Sequence, residues 1–502
     1  MLAVFLMCSA AGYAAKGDVV VLQYAPMSTY AYVSTDFRPG ATYAIDYSEP
    51  LTSAEVRPYS RNVASRIDGR RVTFTLPQAG SYVVYLNGFR VALFAEKPES
   101  LPSKSIDILS KGVDATGQKN ETRKIQAAID AVAGTGKTLL FPAGIYKTSQ
   151  LRIVNKKGVK IHLARGAELR FDETTLGTLS TDDRFGVRGD HILFPGRKWT
   201  VSRTFFLIDK SSDVQITGYG AINANGYRSR VEAFKTKERD SDGRARCILI
   251  TRSNDILLEG VMAQDPGTWN TQILLSERVT FRNVKLLNEV EYSPSADDPF
   301  NVSRSTLNTD GFDPDSSKDV LIENCFAYCG DDNVAIKSTQ YCGLLGDVDR
   351  ITVRGCVFLT HKSSLKVGTE SIAQYMRNIT FENNDVLESD RAIALYCYDG
   401  SAYDNIRYIN NRIERNYPEA KQMIIHIEAK QRMPQCPMGR IDVLIKDTKV
   451  LGFFPKGSAI VNRAKDPNNV RVRFENLEID GRKITDAAAG QITVTNANVT
   501  FE

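Results

Sequence analysis

Histidine is scarce. The 502 residues contain four, His162, His191, His361 and His426, too few for a multi-histidine metal centre. No CxxC pair occurs among the eight cysteines, which excludes zinc-ribbon and thioredoxin-type chemistry. No apolar run approaches the roughly 18 residues that read as a membrane span. Net charge is low as well: 64 Lys+Arg against 59 Asp+Glu leave +5, without the concentrated basic patch that nucleic-acid binding needs. What remains is ordinary globular usage, 42% hydrophobic and 25% charged, so the chain is neither disordered nor collagenous. The cysteines read as mostly buried thiols acting as small apolar residues.

The chain opens on a short apolar run, LAVFLM (2–7), followed by small residues. This reads as a signal peptide over residues 1–15 and an exported protein, secreted or periplasmic. Residues 17–97 alternate polar and apolar in VVVLQY (19–24), RRVTFTL (70–76) and SYVVYL (81–86), the pattern of a small β-sandwich. Residues 98–104 form a linker. Beyond it, Ile125, Ala128, Ile129 and Val132 fall on one face of a helix with Asn120 as its N-cap. The GTGKT at 134–138 follows this helix rather than a strand and lacks a glycine of the phosphate loop, which excludes a nucleotide site there.

The length alone suggests about three domains, but a repeat makes residues 105–502 one solenoid. The pattern apolar-x-apolar-x-(Asn/Gly/Asp) begins at Val214, Ile256, Val279, Val320, Ile351, Ile379, Ile406, Val443 and Val472. It ends at Gly218, Gly260, Asn283, Asn324, Gly355, Asn383, Asn410, Asp447 and Asn476. Alternation at period two is a strand with one buried face. A Gly, Asn or Asp at a fixed place after it is a turn that needs positive φ. From Val320 to Ile351, Ile379 and Ile406 the spacings are 31, 28 and 27 residues. A second strand starts at Val334, Leu365 and Ile393, each 14 residues into its repeat. One coil per repeat describes a parallel β-helix, an all-β solenoid whose open end the helix at 120–132 is placed to cap. Cys325 and Cys356 share a repeat position and are expected to stack.

Two segments break the apolar monotony with acids: Asn308-Thr309-Asp310-Gly311 and Gly330-Asp331-Asp332-Asn333. They lie about one coil apart, and coils rise by about 4.8 Å. Asp310, Asp331 and Asp332 are therefore expected on one face. An acid on one coil and a water-activating base on the next suits an inverting glycosidase, with roughly 6.5–9.5 Å between carboxyl groups. Adjacent Asp331 and Asp332 are also expected to hold one proton between them.

NTDG followed by GDDNVAIKS resembles the polygalacturonase family of glycoside hydrolases, within the pectin-lyase-like right-handed parallel β-helices. The segment VDATGQKNETRKIQAAIDAVAGTGKTLLFPAGIY (113–146) resembles the N-terminal cap of that superfamily, and residues 17–97 are similar to the β-sandwich of dextranase-like relatives. The resemblance implies Asp331 as general acid, Asp310 and Asp332 as the groups that hold and activate water, and Asn308 as an orienting residue. It implies hydrolysis with inversion of a polysaccharide or oligosaccharide, without metal or other cofactor. Two family motifs are altered. Ser363 stands where a histidine is usual, and Ala394 and Tyr396 stand where an Arg and a Lys grip a uronate carboxylate. Lys366, which shares the repeat position of Ala394 one coil earlier and points outward, and Arg391, in the column of Asp332 and Ser363, are candidate substitutes. Tyr396 is a candidate sugar contact, and Ser363 completes the set. Glu370, Asp399, His426 and Glu428 could line the same groove. The substrate therefore need not be plain homogalacturonan. Two alternatives stay open: a lyase or epimerase acting on uronates, for which the three acids could bind Ca²⁺, and a non-catalytic carbohydrate-binding β-helix.

Overall fold

The computed structural model describes residues 19–27, 29–178, 203–227, 229–230, 244–288, 308–339, 345–414, 423–452 and 457–502. The expected signal peptide, Cys8, His191 and Cys342 lie outside them. The chain divides into two compact units that part between Pro98 and Glu99.

In the first unit, a four-stranded sheet and a five-stranded sheet share one core. Val72 and Phe74 from Arg71–Thr75 meet Tyr43 and Ile45 from Thr42–Asp46 in that core, with Val84 of Gly80–Leu86 and Leu93 of Phe89–Glu96 from the other sheet. The alternation in 70–76 thus becomes one buried and one solvated face, as period two requires.

The second unit is a parallel β-helix of three long sheets. The first has thirteen strands, from Ser105–Asp107 to Asn498–Phe501. The second has twelve, from Gly144–Thr148 to Arg482–Lys483. The third has eleven, from Leu151–Val154 to Ile492–Thr495. Every pairing in them is parallel except the last of the second sheet, where Glu478–Ile479 turns back on Arg482–Lys483. The repeat positions read from the sequence stack in register in the first sheet. Val279, Val320, Ile351, Ile379, Ile406, Val443 and Val472 form one inward column, all buried. All nine turn residues adopt positive φ, from 49° at Asp447 to 103° at Gly218.

The helix runs Thr122–Val132 and buries Ile125, Ala128, Ile129 and Val132. Its N-cap is Glu121 rather than Asn120, and Glu121 makes no side-chain cap. Asn120 Oδ1 still accepts from the Thr122 backbone N–H at 3.2 Å, so the expected side chain serves the helix start from one residue further out.

Turns are held by ladders of side chains stacked from coil to coil. Ser211, Ser253 and Ser276 each offer a backbone N–H to the next serine hydroxyl, ending on Ser317, at 3.0–3.1 Å. After the first sheet, Cys325 donates its N–H to Cys356 Sγ at 3.3 Å, Cys356 to Asn384 Oδ1 at 3.0 Å, and Asn384 to Asn411 Oδ1 at 3.1 Å. The six described cysteines are free and buried. Each ladder supplies a partner to a backbone group that burial would otherwise leave unpaired.

Candidate active site

The acids sit where chain passes from the second sheet into the third. Residues 330–333 connect Phe326–Cys329 to Val334–Ser338, and residues 308–311 precede Phe312–Asp315. Phe312 pairs with Val334, a register that puts Asp310 beside Asp332, with Asp331 one step before. Asn333 fastens this turn from inside: its Nδ2 donates to the carbonyls of Ala327 (3.1 Å) and Leu359 (2.7 Å), and its Oδ1 accepts from Ser364 Oγ (2.8 Å). Asn288 Nδ2 holds the Thr309 carbonyl at 2.6 Å on the coil before.

One carboxylate oxygen from each of Asp310, Asp331 and Asp332 lies within 4.8 Å of the others. This is tighter than the gap expected from two carboxyl groups flanking a sugar and a water. The side-by-side register of Asp310 and Asp332, and the adjacency of Asp331 to Asp332, account for it. Such a trio could surround a cation, but ammonium groups already answer its charge. Lys337 Nζ is 2.9 Å from Asp310 Oδ2, and Lys366 is ion-paired with Asp332.

The three acids are in different electrostatic states. Burial, then the charges of Asp310 and Asp332, raise Asp331 to about 7. Burial would raise Asp332 too, but Lys366, Lys337 and Arg391 overcome it and hold that carboxyl below its ordinary range. Asp310 is raised by burial and pulled back by Lys337. Asp331 also accepts the Asn308 backbone N–H on Oδ2 (2.9 Å) and the Asp332 N–H on Oδ1 (3.0 Å).

The other expected site residues fall as follows. Asn308 reaches the acids through its backbone, in a left-handed conformation (φ 60°). Ser363 is wholly buried; its N–H donates to Asp332 Oδ1 (2.9 Å) and its hydroxyl accepts from Arg391 Nε (3.1 Å). It meets the acids from within the wall rather than from the groove. Arg391 is partly exposed and also pairs with Asp390 at 3.4 Å. Lys366 pairs with Ala394, and Ala394 with His426, along the third sheet. Tyr396, 6% exposed, shares a hydrogen bond with His426 Nδ1 (2.9 Å), and its ring lies 5.4 Å from that of Tyr398. Tyr398 donates to Glu428 (2.6 Å), and Asp399 is committed to Arg432.

The sequence reading missed three groups. Lys337 lies within the acid-bearing motif, and alternation in Val334–Ser338, with Val334 and Ile336 in the core, already put it on the outward face. Asp313, wholly buried, stands 3.1 Å from Lys337 Nζ. The Trp269 ring centroid is 3.7 Å from the same ammonium; nothing in the repeat pattern pointed to it.

The fold is a parallel β-helix with a carboxylate cluster at the mouth of its third sheet. Residues 148–452, more than half of the chain, match the model of Glycosyl hydrolases family 28, and the chain belongs to that family. It is 26% identical over 225 residues to an endo-polygalacturonase of Pectobacterium carotovorum subsp. carotovorum, covering 41% of this chain and 52% of that one. The chain spans about half the length of the curated relatives it matches. In fold it is similar to the hyperthermoactive exopolygalacturonase of Thermotoga maritima (TM-score 0.56, 19% identity, 77% of this chain, 94% of that one). It is also similar to Dex49A of Penicillium minioluteum (TM-score 0.54, 12% identity, 94% of this chain, 83% of that one).

Proposed function

We propose that this protein hydrolyses glycosidic bonds of a pectic polysaccharide or oligosaccharide with inversion at the anomeric carbon. Asp331 is the general acid. Asp332 and Asp310 hold and activate the attacking water. The observation that carries this is the opposed state of two neighbouring acids. Asp331, at about 7, keeps its proton in mildly acid solution, while Asp332 is held ionised beside Lys366. One group can protonate the leaving oxygen while the other accepts a proton from water.

The remaining roles follow from contacts. The Asn308 backbone orients Asp331. Lys366 keeps Asp332 charged, and Ser363 positions Asp332 and Arg391. We assign Arg391 and Tyr396, on the coil after Lys366, to the adjoining sugar. The protein is exported by the leader at residues 1–15, and among the described residues no helix is long and apolar enough to cross a membrane. A lyase mechanism on the same groups is disfavoured: it needs a neutral amine or similar base. Lys337 and Lys366 are each buried, which disfavours their charge, yet Asp310 and Asp332 hold them protonated above the ordinary lysine range.

A panel of pectic and neutral polysaccharides tests the proposal. New reducing ends without an unsaturated, ultraviolet-absorbing product are expected. An unsaturated product would show elimination instead, and binding without any cleavage would show a non-catalytic β-helix.

A further inference from the structure

Against the three acids lie buried groups, Lys337, Asp313 and Trp269, to which the proposed reaction assigns no role. Lys337 Nζ is held by Asp310 (2.9 Å), by Asp313 (3.1 Å) and by the face of Trp269 (3.7 Å). The Lys337 and Asp310 side chains are each 4% exposed and that of Asp313 is 0%. The other face of this arrangement is also cationic, with Arg246 Cζ 5.1 Å from the Trp269 ring centroid. Among the described residues Lys337 is the one cation on Asp313, at 3.1 Å from Oδ1, and Asp313 Oδ2 has no hydrogen-bond donor. An ionised carboxylate buried without donors is costly, and a buried ammonium shared unequally between two acids neutralises one of them. The shorter contact goes to Asp310.

We propose that Lys337 is a positioning residue that holds Asp310 as an ionised carboxylate facing the water, while Asp313 on its other side carries a proton. The inference rests on the hydrolase reading above. It explains why a lysine, rather than an apolar residue, is buried here: without Lys337, burial and the charge of Asp332 would drive a proton onto Asp310. The groups facing the cluster are Asp310, Asp313, Asp331, Asp332, Glu370, Lys366 and the Cys329 thiol. Lys366 is also cationic and is engaged by Asp332, and the Arg246 guanidinium lies 5.1 Å from the Trp269 ring centroid. Burial raises Asp313 well above its ordinary range, with Lys337 opposing, which agrees with a neutral acid at that position.

The test is the pH profile of kcat for the full chain. In Lys337→Met, Asp310 loses its cation and binds its proton more tightly. The acid limb is therefore expected to move to higher pH, by about 1–3 units for an opposite charge at this range. Lys337→Gln, which keeps a donor for Asp310, is expected to move the limb in the same direction and serves if the methionine variant does not fold. Lys337→Arg keeps the charge and is expected to leave the limb near its place. Asp313→Asn replaces a neutral acid by a neutral amide, so the limb is expected to stay. If Asp313 were ionised, removing its charge would shift the limb to lower pH. A stationary limb in both Lys337→Met and Lys337→Gln, or a downward shift in Asp313→Asn, overturns the proposal. A merely structural lysine would lower the melting temperature without moving the limb. Infrared difference spectra of the parent and Asp313→Asn at neutral pH need no turnover: loss of one protonated-carboxyl band is expected, and loss of a carboxylate band overturns the proposal. Failure of the parent to cleave any glycan would instead remove the hydrolase reading and leave this spectroscopic test standing.

Discussion

The turn after the first sheet and the turn before the third do the same mechanical work with opposite side-chain statistics. After the first sheet, one kind of solution is copied from coil to coil: Cys325, Cys356, Asn384 and Asn411 each receive a backbone N–H or pass one on. Before the third sheet, the column runs from acids through a hydroxyl to a guanidinium. Asp310 is followed by Asp332, then Ser363, then Arg391. Stacking alone favours repetition, because each coil then meets a neighbour that satisfies its buried groups. A column that abandons repetition and buries unlike charges gives up that advantage, and in this chain it does so where the protonation states of neighbouring acids are driven apart. Sites of this kind are where local rules are expected to break.

If the contrast is right, the two turns answer mutation differently. The largest effect belongs to Asp331→Asn, which is expected to cost about 10²–10⁴-fold in kcat as general-acid catalysis is lost. The fold should gain. Asp331 is raised to about 7 in the folded chain by desolvation and by Asp310 and Asp332, so above that pH the parent carries a disfavoured charge that asparagine lacks. Asp331→Asn is expected to melt above the parent at pH 8, by an energy on the order of a few kcal/mol, with the difference fading as the pH falls below 7 and the folded aspartate regains its proton. Equal melting at pH 8 would place Asp331 in a more hydrated setting than the structure shows.

Lys366→Met comes next. Asp332 loses the ammonium that keeps it ionised, so the acid limb of kcat should move to higher pH by about 1–3 units, read from initial rates across a pH series. For the parent, the alkaline limb is set by Asp331 and should fall near pH 7. Asn384→Ala breaks the repetitive turn instead. It removes an acceptor from Cys356 N–H and a donor from Val353 O, and leaving such groups buried should cost about 2–4 kcal/mol in chemical denaturation. The activity of the molecules that remain folded should be unchanged. The smallest effect is Ser276→Ala, expected to cost about 1–2 kcal/mol through the loss of its hydrogen bonds to Ser253 N–H and Leu274 O. Any shift of the pH limbs in either ladder variant would contradict the division between the two turns.

The same contrast explains what could be read from the sequence. Repetition is legible: nine turn residues chosen by pattern all adopt positive φ, and the apolar columns stack as spaced. Outward lysines are half legible, since alternation put Lys366 and Lys337 on the acid face but could not show that carboxylates hold both. Two features were hidden. Asp255, Arg278, Asp319, Arg350, Asn378 and Asn405, each just before its inward column, also take positive φ; arginine gives no local signal for that conformation, and the stacked neighbours impose it. The acids approach more closely than the roughly 6.5–9.5 Å of an inverting pair, because the offset between Phe312 and Val334 aligns Asp310 with Asp332. Ser363 was legible as a column member but not as a buried bracket, since its contacts run to the coils on either side.

That close approach makes stereochemistry the most direct test of the central claim. Fresh hydrolysis of an accepted pectic substrate, followed by proton NMR before the product mutarotates, reports the first anomer formed. The parent is expected to give the inverted anomer, and Asp331→Asn about 10²–10⁴-fold less product at the same enzyme concentration. A retained anomer would mean that one carboxylate attacks the sugar directly, as carboxyl groups about 5–5.5 Å apart allow, and would contradict the assignment of Asp310 and Asp332 to a water.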